Sequence, residues 1–239
     1  MVLLRRLNRR EPWYASGMYA LVCLILLVAA GGGAQDTNDA SALLQKAESL
    51  ARSVKSWRAE IVETSQVSGH GMNLQDQVRV KIAAQAPLKM RRENSGDDQT
   101  VLVCDGSESF YMGDGHNYYR NSAKANQDCD FPLRSSYQLG KDPVSVLIVG
   151  HDHVVLSDGN HTCDVVRAEW KDAARRVVRT MCIDPTSGLV LRDVTDSDNE
   201  GMRSVVTTTF TSYEINRTFP PDTFKFSIPS GAVEAKPPI

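Results

Sequence analysis

The chain has 239 residues, 41% of them hydrophobic and 23% charged, with a formal net charge of −2. These values fit a folded globular chain and exclude a disordered polyelectrolyte, a collagen-like repeat and a basic nucleic-acid binder. Charge is unevenly spread: Arg5, Arg6, Arg9 and Arg10 against Glu11 give residues 1–34 a balance of +3, which leaves −5 for the rest.

The basic segment Arg5–Arg10 precedes an apolar run, Met18–Ala30, and then the small residues Gly31 to Ala34. Basic, apolar and small residues in that order form a secretory signal, with cleavage expected after Ala34. An uncleaved anchor is the alternative, since the apolar stretch counted from Trp13 approaches the length of a membrane span, although Ser16 and Gly17 interrupt it. The expected organisation is a signal peptide at 1–34 and one domain at 35–239, exported to a periplasm or otherwise out of the cytoplasm.

Next, Ala40, Leu43, Leu44, Ala47, Leu50 and Val54 recur at three and four residues, which predicts an amphipathic helix over Asp39–Val54. From Trp57 the period becomes two. Trp57, Ala59 and Ile61, then Val78, Val80 and Ile82, alternate with polar neighbours as in antiparallel strands with one wet face. Further strands are expected at Lys89–Glu93, Thr100–Cys104, Ser109–Met112 and Asn117–Arg120, punctuated by Asp105-Gly106 and Asp114-Gly115. Asp142-Pro143 opens an apolar stretch, Val144 to Val149, that suits either a short helix or a strand. Strands resume at His153–Leu156, in a hairpin over 161–184, and at Leu189–Val194, Ser204–Ile215 and Phe224–Ile228. The fold class expected is α+β, mainly β: a strongly curved antiparallel sheet, with the first helix and the insertion Phe131–Gly150 over its mouth.

Export leaves four cysteines, an even number where disulfides persist. If the 161–184 hairpin turns between Asp172 and Ala173, paired residue numbers sum to 345, so Cys163 faces Cys182 and Glu169 faces Arg176. Cys104 is then left for Cys129.

Four segments in order carry a family resemblance: "LLQKAESLARSVKSWRAEI", "VLVCDGSESFYM" with "NYY", "MCIDPTSGLVLRDV", and "FTSYEINRTFPPDTFKFSIPSGA". Over residues 40–233 the chain resembles the periplasmic lipoprotein-carrier superfamily typified by LolA, with LolB and RseB as relatives, as a divergent outer-membrane lipoprotein-sorting-like member. The resemblance implies a half-open barrel covered by helices, holding acyl chains in an apolar cavity. Trp57, Ile61, Val78, Val80, Ile82, Phe110, Met112, Val144, Leu147, Ile148, Phe210, Phe224 and Phe226 are the candidates to line it. The function implied is a non-enzymatic, monomeric carrier or chaperone for lipid or lipoprotein acyl chains. An RseB-like sensor or scaffold that binds a membrane signalling protein is the alternative.

Other constellations give no competing chemistry. His151 and His153 share a strand face and His161 could approach across a hairpin, but Asp152 points the other way and Gly150 and Asp158-Gly159 bound the run, so an exposed loop is expected. Asp196, Asp198 and Glu200 before Gly201 imitate part of a calcium loop, yet its twelfth position is Thr207. Neither a serine-nucleophile elbow nor a phosphate-binding glycine loop occurs. No cofactor, metal or nucleic acid is expected.

Overall fold

The computed structural model describes residues 37–96, 99–113, 115–124, 129, 139, 143–171 and 175–236. The chain divides into two units, Met1–Ala34 and Gln35–Ile239. The first, and with it the expected signal peptide, lies outside the described residues.

Helix α1 (Thr37–Ser53) opens the second unit. Ala40, Leu44, Ala47 and Ala51 form its buried stripe, and three of these four are alanines, so the helix backbone packs close to its support. Twelve strands follow: β1 (Ser56–Gly69), β2 (Met72–Gln85), β3 (Lys89–Ser95), β4 (Thr100–Asp105), β5 (Glu108–Met112), β6 (Asn117–Ser122), β7 (Ser145–Leu156), β8 (Gly159–Lys171), β9 (Arg175–Ile183), β10 (Val190–Asn199), β11 (Met202–Ile215) and β12 (Val233–Ala235). They form one sheet in the order β12-β6-β5-β4-β3-β2-β1-β11-β10-β9-β8-β7. All neighbours are antiparallel except β12, which runs parallel to β6.

Two meanders, β1–β6 and β7–β11, are joined where β1 pairs with β11. A bulge there leaves Thr211 without an opposite residue. Its hydroxyl donates to the Glu60 carbonyl at 3.1 Å, and its own carbonyl accepts from the Ser157 amide at 2.8 Å. Ser157 sits in the β7–β8 turn, so the β7–β11 half curls until its outermost hairpin reaches back to β11.

Directly opposed residues share a face, so the register sorts every side chain. Trp57 lies beside Ala84 and Met90, Ala59 beside Ile82 and Tyr213, and Ile61 beside Val80 and Phe210. This Trp57 face holds most of the core. The opposite face carries Arg58, Ala83, Arg91, Val103 and Phe110 across five strands. The segment after β11 covers it: Phe226 stacks on Phe110 at a centroid distance of 5.1 Å, and Phe224 meets Phe219 edge-on at 5.3 Å.

Several expectations change. Phe224–Ile228 is no strand; its aromatic residues pack onto a sheet face without a ladder partner. The apolar stretch after Pro143 is the start of β7, in keeping with its β-branched residues. The earlier part of the insertion, 131–138 and 140–142, lies outside the described residues. Among the described residues α1 is the single helix, set against an open, curled sheet.

Both disulfides are present, Cys104–Cys129 and Cys163–Cys182, with Cα atoms 5.8 and 5.3 Å apart. The hairpin register behind the second is corrected: Cys182 faces Val165, and Glu169 faces Val178. The observed register sets Trp170 against Val177 and Val166 against Met181, where the expected one would set both against arginines. Apolar packing outweighs one exposed charge pair. A shift of two in the register sum keeps every side chain on its face, so the cysteines meet diagonally. Arg176 still reaches Glu169 at 2.9 Å.

Candidate binding face of the sheet

The candidate lining residues separate by strand parity. Trp57, Ile61, Val78, Val80, Ile82 and Phe210 share the Trp57 face, and Ile148 joins them through Val166, Met181 and Asp193. Phe110 and Met112 lie on the opposite face, with Phe224 and Phe226 packed on that side. Val144 and Leu147 are exposed, at 64% and 39%. Seven of the thirteen therefore come together.

Their burial is graded along the strands. Trp57, Ile61, Val80, Ile82 and Phe210 are buried in a packed base, with the Trp57 and Phe210 rings stacked at 6.0 Å. Trp57 Nε1 finds no hydrogen-bond partner among the described residues. One step toward the hairpin tips comes a charged row, in which Thr208 lies between Glu63 and Asp193. Arg92 Nη2 donates to both Glu63 oxygens at 3.1 and 3.3 Å, and Arg179 Nε donates to both Asp193 oxygens at 3.0 Å. Arg92 reaches across β2 from β3 and Arg179 comes from neighbouring β9, each neutralising its acid, so the row is polar without net charge. Beyond it the face is mixed: Val206 lies between Ser65 and Thr195, and Val67, Val177 and Trp170, half-buried, share the next row with Ser204 and Ser197, with Leu74 and Met72 exposed toward the tips.

The charged row was not recognised from sequence. Glu63 continues the alternating series Trp57, Ala59, Ile61, so a carboxylate on the core-facing parity was the available signal. A packed base, a neutral polar row and a rim of half-buried apolar residues among small polar ones make a surface suited to binding an amphiphile.

The polar constellations are each satisfied locally. His151 pairs with Asp164 at 2.8 Å, His161 with Asp158 at 3.0 Å, and His153 bonds Thr162 at 3.2 Å. Asp196 holds Arg203, and Asp198 accepts the Gly201 amide in a turn where Glu200 has φ of 51°. Among the described residues no three His, Cys, Asp or Glu are grouped to hold a metal ion, and no helix is long and apolar enough to cross a membrane.

No protein-family model matches the chain, and no curated protein does. Among solved structures it is similar to the MucA/MucB complex of Pseudomonas aeruginosa, with TM-score 0.41 and 18% identity over 79% of this chain and 61% of that one. It is also similar to a LolA superfamily protein from Nitrosomonas europaea, with TM-score 0.34 and 11% identity over 78% and 97%. A third is the lipoprotein LppX of Mycobacterium tuberculosis, with TM-score 0.30 and 9% identity over 74% and 97%. The chain thus spans about three fifths of the MucB-type chain. None of these scores exceeds 0.41, so the functional reading rests on this chain's own residues.

Proposed function

We propose that this chain is an exported, non-enzymatic binding protein that holds acyl chains, of a lipid or a lipoprotein, on its Trp57 face. Two disulfides fit an oxidising compartment outside the cytoplasm. The carrying observation is that, among the described residues, Val67, Val177, Val206 and Trp170 on this face are only half-buried and Leu74 and Met72 are exposed. Each acyl methylene buried there is worth about 0.8 kcal/mol, so ten would supply about 8 kcal/mol, the scale of a micromolar complex before ordering costs.

Ile61 and Val80 belong to the packed base, so the test falls on the half-open positions. Val78→Glu and Val206→Glu should each weaken binding of a fluorescent fatty acid at least tenfold with little change in melting temperature. Leu147→Glu, on the opposite face, should leave binding intact. Unchanged affinity in both of the first two variants would contradict this use of the face.

A second reading, a sensor or scaffold for a membrane signalling protein, is favoured by β7. It is an edge strand, and Val144, Leu147, Val149 and Val155 lie exposed on or beside it. Its centre, His151-Asp152-His153, is polar, and the exposed apolar residues on either side suit an added strand from a partner.

A further inference from the structure

On the face opposite Trp57 a cleft of about 380 Å³ lies between β1–β3 and the segment 217–223. Its floor is the row Arg58, Ala83, Arg91, so two guanidinium-bearing strands flank an alanine whose short side chain leaves a depression. Lys81 and Glu93 form the adjoining row. Arg217, Phe219, Pro220 and Asp222 make the wall.

The wall is anchored at both ends. At its start, the Asn216 amide donates to the Ser56 carbonyl at 2.7 Å, and the Ser56 hydroxyl donates to the Arg217 carbonyl at 2.6 Å. At its end Phe224 is buried, and Arg91 Nη1 donates to the Lys225 carbonyl at 3.3 Å. The cleft is therefore set by the fold.

Four cations line it against two acids. Both acids are engaged: Glu93 with Arg91 at 2.6 Å, and Asp222 with Lys225 at 2.5 Å. Arg217 pairs with Glu214, and Lys81 lies 3.6 Å from Glu60. Arg58 makes no ion pair among the described residues. With the partners of these pairs included, five cations stand against four acids, a surplus of one positive charge on a chain whose net charge is −2.

We propose that this cleft binds a phosphate monoester carrying a small apolar group. A monoester bears about −1.5 to −2 at neutral pH, and its three terminal oxygens can accept from several of these cations at once where a carboxylate offers two. Guanidinium groups present paired donors to phosphate oxygens. The volume exceeds what a phosphate alone fills, and Phe219 and Pro220 offer an apolar wall to the group it carries. Sheet thickness separates this site from the Trp57 face, so it stands apart from the acyl-binding reading.

The test is calorimetric titration of the mature protein with inorganic phosphate, phenyl phosphate, benzoate and monomeric dihexanoyl phosphatidic acid. Saturable binding of phenyl phosphate or the phosphatidic acid is expected, tighter than that of inorganic phosphate. Whichever ester binds tighter assigns the source, a soluble ester or a lipid headgroup. Arg58→Gln and Arg217→Gln should each weaken it about tenfold, the loss of one charge-assisted contact, with unchanged melting temperature. Arg203→Gln, on a remote hairpin, should not. Fluorescent fatty-acid binding should survive Arg58→Gln, which separates failure of this site from failure of the other. The proposal is overturned if neither ester binds, if benzoate binds as tightly as phenyl phosphate, or if both cleft variants match the wild type.

Discussion

Asp184 is 6% exposed and carries no ion pair among the described residues, yet its carboxyl sits below the ordinary value of 3.8. Burial alone pushes it up. Hydrogen bonds from the Ser187 hydroxyl at 2.6 Å, the Thr186 and Ser187 amides at 2.9 and 3.3 Å, and the Tyr213 hydroxyl at 3.4 Å outweigh that. They hold the turn between β9 and β10 closed. A depressed folded-state pKa gives a stabilisation that is complete above the unfolded value and lost as pH falls through the folded one. Asp184→Asn should therefore cost about 2 kcal/mol at neutral pH, and the melting-temperature gap between wild type and variant should narrow as pH falls from 6 to 3. A constant gap across that range would show that ionisation of Asp184 contributes nothing. The turn itself was legible, because Asp184 to Arg192 has the D-x-x-x-G-L-x-x-R spacing. Its four donors were not, since Tyr213 reaches it from β11.

The same turn supports α1. Gly188 has φ of +73°, and a Cβ built there would lie 2.9 Å from Leu50 Cβ and 3.1 Å from Ala47 Cα. Gly71 has φ of +79° with nothing within 4 Å, so it separates backbone cost from contact cost. Gly71→Ala should lose only the left-handed term, about 1–2 kcal/mol, as read by urea unfolding. Gly188→Ala should lose clearly more and speed amide exchange in residues 40–51. Equal losses would mean that α1 does not rest on the glycine. Elements whose own periodicity matched their final environment were readable: α1 and β11 appear within two residues of their expected bounds, while β1 and β2 run well beyond the alternation at Trp57–Ile61 and Val78–Ile82. The β8–β9 register was missed because an exposed Glu169–Arg176 pair was weighed above apolar facing of Trp170 with Val177. Phe224, Phe226 and Ile228 read as a strand because a segment lying across a sheet can show the same alternation as one hydrogen-bonded within it.

At the scale of the molecule, sequence conveyed a curved antiparallel sheet but not the allocation of its two faces. Parity within one strand is visible; parity between strands depends on loops and bulges such as those at Thr211 and Val149. That is why Phe110 and Met112 were grouped with Trp57 although they face the other way. Allocation by register gives the molecule two separate surfaces: an apolar face crossed by Glu63–Arg92 and Asp193–Arg179, and a cationic cleft behind it. The most direct measurement of the central claim, that the Trp57 face holds acyl chains, is mass spectrometry of lipid extracted from the protein purified natively from its own cell envelope, without detergent. The expected result is an acyl lipid near one per chain in the wild type, strongly reduced in Val78→Glu and Val206→Glu. Lipid-free protein that also fails to take up a fluorescent fatty acid would contradict it.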